Sequence, residues 1–116
     1  MRKDAIIIMM GIFVSVAILG RINFLDPVRD GSELEIYTNV HNNMKSDLDN
    51  LRVKAFFLDI GDFIVSKSFD LDAGDTEGII LSLDVPTTAR KGDHLVKIVA
   101  SNDDYHDSRY MYFSVI

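Results

Sequence analysis

Three aspartates, Asp70, Asp72 and Asp75, stand in a D-x-D-x-G-D run, and closely spaced carboxylate oxygens are ligands that calcium takes. A helix-loop-helix calcium site needs D-x-D-x-D-G and a later glutamate, and Leu81 occupies the glutamate's place. The run therefore reads first as a solvated turn ahead of a strand. A denser cluster, Asp103, Asp104, Tyr105, His106 and Asp107, offers carboxylates beside an imidazole and a phenol, a set suited to a cation or a basic partner. Its competing reading is the tip of a hairpin. The histidines His41, His94 and His106 are too far apart in sequence to define a Ser/His/Asp arrangement. With no cysteine, a thiolate zinc site, a thiol nucleophile and a disulfide are excluded. The seven glycines are scattered singly, so no phosphate-cradling loop exists, and no Asn-x-Ser/Thr sequon occurs. No catalytic residue, firm metal site or cofactor is expected.

The elements that would position these groups follow from hydropathy. After Asp26-Pro27 and the Asp30-Gly31 turn, Leu34, Ile36, Thr38 and Val40 alternate with Glu33, Glu35, Tyr37, Asn39 and His41, a period of two that marks a strand with one wet face. The same alternation recurs at Leu51–Phe57, Ile79–Val85, Val96–Ala100 and Met111–Val115, with a less regular stretch from Phe63 to Phe69. Turn residues separate these runs, and helical periodicity is missing after residue 22. The expectation is an antiparallel β-sandwich of the immunoglobulin type, about seven strands over residues 32–116, with 22–31 as linker or first strand. Phe56, Leu58, Tyr110 and Tyr112 fall on outward positions; the preferred expectation is that they are buried against other elements, the alternative an apolar patch for a partner.

Residues 1–21 differ in kind. Met1-Arg2-Lys3-Asp4 precedes an unbroken weakly polar run, Ala5 to Gly20, closed by Arg21. Sixteen residues in a helix span roughly 24 Å against about 30 Å of bilayer hydrocarbon. The segment is read as a signal-anchor, with Ala5, Ile6, Ile7, Ile8, Phe13, Val14, Ile18 and Leu19 in the membrane. The alternative is a signal peptide cleaved after Ala17 and a secreted body. Arg2 and Lys3 favour a cytoplasmic N-terminus with the body outside. Beyond residue 21 the chain holds nine basic and seventeen acidic residues, a balance that repels phosphate backbones and anionic lipid. Nucleic acid is therefore not an expected partner. Membrane contact is assigned to the N-terminal helix alone, and an unidentified protein partner to the body.

The order of features also resembles a known group. Val40-His41-Asn42 enters an Asn/Asp-rich turn ahead of Leu51-Arg52-Val53; Phe69 to Asp75 precedes the strand ending Leu83-Asp84-Val85-Pro86; Ala89-Arg90-Lys91-Gly92-Asp93-His94 leads to Ile98-Val99-Ala100-Ser101. Across residues 28–116 this is similar to the CARDB-like immunoglobulin-fold domains of bacterial and archaeal surface and secreted proteins. Two positions depart from that pattern. Asn43 stands for the turn glycine, where it would have to tolerate positive φ, and His94 stands for the corner tyrosine. The resemblance implies a spacer, adhesion or accessory module and not a catalyst. The combined expectation is a membrane-tethered extracytoplasmic module for protein–protein contact or envelope assembly. The alternatives are a pilin-like filament subunit with an N-terminal helical core, and a secreted carbohydrate- or cation-binding domain.

Overall fold

The computed structural model describes residues 19–24 and 28–116. The segment carrying Ala5, Ile6, Ile7, Ile8, Phe13, Val14 and Ile18, with the cleavage position after Ala17, lies outside the described residues. No helix among the described residues is long and apolar enough to cross a membrane.

The body is all-β. Eight strands form: β1 (Leu19–Phe24), β2 (Glu33–His41), β3 (Leu48–Phe57), β4 (Asp62–Val65), β5 (Phe69–Leu71), β6 (Thr76–Asp84), β7 (Gly92–Ser101) and β8 (His106–Val115). Two antiparallel sheets result, one ordered β1-β2-β6, the other β4-β3-β7-β8 with β5 also on β3. Each sheet sends alternate residues inward. Leu34, Ile36, Thr38 and Val40 of β2 are buried, as are Val53, Ala55 and Phe57 of β3 and Val96, Ile98 and Ala100 of β7. All but Thr38 join one apolar core, which accounts for the period of two along the long strands. Phe57 meets Phe113 edge-on, ring centroids 5.8 Å apart, closing the core between β3 and β8.

The less regular stretch from Phe63 to Phe69 holds most of β4 and the start of β5, both paired with β3. β5 is displaced by a register shift between Leu48 and Leu51, where Asn50 takes a left-handed φ of 57°. Asn50 is the only non-glycine residue with positive φ among the described residues, so Asn43 does not adopt the glycine-like conformation its turn position suggested.

Leu19, assigned to the membrane anchor, is instead 4% exposed in the core, and Leu19–Phe24 pairs with β2. Its backbone is tied across the sandwich to β8. Leu19 N donates to Asp107 Oδ2 at 2.9 Å, while Arg109 Nη2 and Nη1 donate to the carbonyls of Leu19 (2.8 Å) and Gly20 (2.6 Å). Removing this clamp with Arg109→Ala should cost about 1–2 kcal/mol, because charge-assisted bonds to backbone are lost at a partly wet edge. Hydrogen exchange checks it: the β1 amides should lose protection while the β3–β7 ladder keeps its own. Equal loss in both would show that β1 is not held by this arginine.

Candidate functional site

One end of the sandwich gathers the β2–β3, β5–β6 and β7–β8 loops, and the predicted acidic residues lie there. Asn42 organises the first two. It is fully buried, its Nδ2 donating to Ser46 O (2.9 Å) and Leu71 O (3.0 Å) and its Oδ1 accepting from Met44 N (2.9 Å). Its own backbone bonds Asp75 O and Gly74 N, the latter in a turn where φ of +84° suits glycine. Asn102 does the same for the β7–β8 hairpin, its Oδ1 accepting from Asp104 N and Tyr105 N and its Nδ2 donating to Asp49 O.

These bonds give several aspartates structural partners. Asp70 accepts from Asn50 N, Asp47 from Ala73 N, and Asp107 from Leu19 N. Asp72, Asp75, Asp103 and Asp104 are exposed, Tyr105 packs partly against the core, and His106 is exposed at the start of β8. Among the described residues no three acidic or histidine side chains converge as a metal site would require. His41 Nδ1 lies 2.7 Å from Thr76 Oγ1 across the β2–β6 pair.

His94 sits at the opposite end of the molecule. It is 2% exposed, stacks on Phe113 with centroids 5.4 Å apart, and both ring nitrogens face acceptors. Nδ1 is 2.9 Å from Asp59 Oδ2 and Nε2 is 2.5 Å from Arg90 O. Arg90 Nη2 lies 3.5 Å from the same Asp59 oxygen. The ring thus pins the β3–β4 turn and the approach to β7 together.

The surface with the most distinctive chemistry is the outer face of the larger sheet. Register places Phe63, Phe56, Lys97 and Tyr110 in one row across β4, β3, β7 and β8. Val65, Lys54, Val99 and Ser108 form the next row, and Leu95 beside Tyr112 a third. The preferred expectation of burial fails for three of the four: Tyr110 is 58% exposed, Tyr112 65% and Leu58 51%, while Phe56 is half-buried; Phe63, its neighbour on β4, is exposed as well. The cause is topological. The other sheet covers the inner face only, and among the described residues no element crosses the outer one. Phe56 stacks on Phe63 with centroids 6.1 Å apart, and Lys97 Nζ lies 5.7 Å from the centre of the Tyr110 ring.

Cations share this face. Arg52, Lys54 and Lys67 line a shallow groove of about 710 Å³ with Phe63 and Val65. Neither these three nor Lys97 has a carboxylate within ion-pair distance among the described residues. An acidic body has therefore kept unpaired cations between exposed rings on one face, with Asp93 at its rim, held by the Ser114 hydroxyl at 2.7 Å. Such rings with interspersed arginine and lysine suit a protein contact whose core is apolar and whose partner is acidic. The signal was present in sequence as the even-numbered residues of β8 and the odd-numbered ones of β7, but Phe63 and Val65 become visible only once β4 is paired. Compared with known proteins, the chain matches no family model and no curated protein.

Proposed function

We propose that this chain is a membrane-tethered, extracytoplasmic immunoglobulin-like module, non-catalytic, that makes protein–protein contact through the outer face of its larger sheet. The observation that carries the reading is the row Phe63–Phe56–Lys97–Tyr110, its two end rings exposed, its two middle residues half-buried, and no described element across it. The strand order supports the immunoglobulin-like part. β1, β2 and β6 take the places of strands A, B and E, and β3, β7 and β8 those of C, F and G, with β4 on the outer edge of C. The resemblance of residues 28–116 to CARDB-like domains agrees with that order. The tether rests on the apolar run from Ala5 to Ile18, ahead of β1, and on the basic residues before it.

Cell fractionation with added protease tests the address. Full-length chain should sediment with membranes and be cut from the outer side; uncleaved chain in the cytosolic pool would end the reading. The contact surface is tested separately by Phe63→Ala with Tyr110→Ala. The pair should change stability by less than about 1 kcal/mol, since both rings are already more than half exposed, yet abolish co-purification of the partner. Retained partner with both rings removed would move the contact elsewhere.

A further inference from the structure

The two outer faces of the sandwich are opposite in charge. Beside the cationic, ring-bearing face described above, the smaller sheet turns Glu33 and Glu35 of β2 and Asp84 of β6 outward, with Arg21 of β1 the cation on that side. Apolar surface occurs there as well: Ile80 is 65% exposed and Tyr37, its cross-strand neighbour, 37%. Tyr37 lies down over β6, its Oη donating to Asn39 Oδ1 at 2.8 Å. The ring occupies the space above Gly78, where a Cβ would come within 3.1 Å of Oη, so the face stays flat.

We infer that the occupant of the cationic face is a second copy of this chain, docked by its acidic smaller sheet. This rests on the contact reading above and specifies its partner. The two faces differ, so the contact is heterologous, and each copy that docks exposes a fresh face of each kind. Copies then stack sheet on sheet. With sheets about 10 Å apart, both within a sandwich and across the contact, one copy adds about 20 Å to the stack. Such stacking need not invert alternate copies, so every chain can leave β1 at Leu19 on the same side, which is compatible with a common membrane. Opposed faces give direction too: cation on cation or acid on acid is disfavoured, which selects one stacking order.

Charge reversal with rescue in trans tests this on the full-length chain in mild detergent, by sedimentation. The unaltered chain should associate at about 0.05 M salt and disperse near 1 M. Lys54→Glu/Lys97→Glu makes both faces acidic, and Glu33→Lys/Glu35→Lys makes both cationic. Each variant alone should associate at least tenfold more weakly, and an equimolar mixture should regain association. Failure of the unaltered chain to associate, indifference to either reversal, or a mixture that stays apart overturns the inference. A photocrosslinking residue at Tyr112, used in the membrane of the producing cell, separates this from the broader reading. A covalent dimer of the chain supports stacking. An adduct with a different protein overturns stacking and leaves the contact face standing, and no adduct at all removes both.

Discussion

Asn42→Ala should lower stability by about 4 kcal/mol, the largest single-residue loss expected outside the apolar core. Three bonds vanish together, and Ser46 O, Leu71 O and Met44 N are left in a site where the parent side chain is fully buried. Each buried group without a partner costs roughly 1–3 kcal/mol, and water entering the small space left by the truncation recovers part of that. For a body of this size the loss corresponds to a drop of about 20 °C in Tm. Asn42→Asp distinguishes hydrogen bonding from packing. It preserves volume but turns an oxygen toward two carbonyls that now receive a donor, so it should be no better than alanine. Thermal unfolding followed by circular dichroism measures both. An aspartate variant as stable as the parent would mean that the amide does not join these loops.

The second large effect is expected at His94. His94→Ala removes a buried ring from between Asp59, Arg90 and Phe113, leaving a cavity and an acceptor without its donor, at a cost of about 3 kcal/mol. His94→Phe retains the stack on Phe113 and loses only the polar pair, so roughly half that cost should remain. Denaturant titration orders the three proteins, with parent above phenylalanine above alanine. Phenylalanine matching the parent would reduce the corner to packing, and phenylalanine matching alanine would make the polar pair the whole effect. Asp59→Asn supplies the complementary measurement, because it keeps an oxygen near Nδ1 while removing the carboxylate charge that also faces Arg90.

Local periodicity was sufficient to read most of the strands. Leu34 to Val40 alternates because each second residue meets the opposite sheet, and that relation needs no distant partner to be seen. Leu19 was misjudged because its company in sequence is apolar. What removes it from that company is Asp107 and Arg109, 88 and 90 residues away, binding its amide and carbonyl. Backbone partners of charged side chains leave no trace in a local pattern. Asn43 and Asn50 make a related point. Both sit in Asn-rich stretches able to take a left-handed φ, and the register shift of β3 against β5 selects Asn50. For the contact face, alternation told that Tyr110 and Tyr112 share a side opposite Met111 and Phe113. It could not tell that no described element lies across them, since cover is a property of topology.

A contact surface on the large sheet must be covered in the cell and open in the isolated chain. Amine-reactive labelling read by mass spectrometry measures this directly. Lys54 and Lys97 lie on the face, while Lys45 and Lys91, exposed in loops at the two ends, serve as internal references. Lys54 and Lys97 should be modified as readily as the references in purified, dispersed protein, and at least several-fold more slowly in intact membranes. Equal modification of all four lysines in both settings would contradict the assignment of this face as the contact surface.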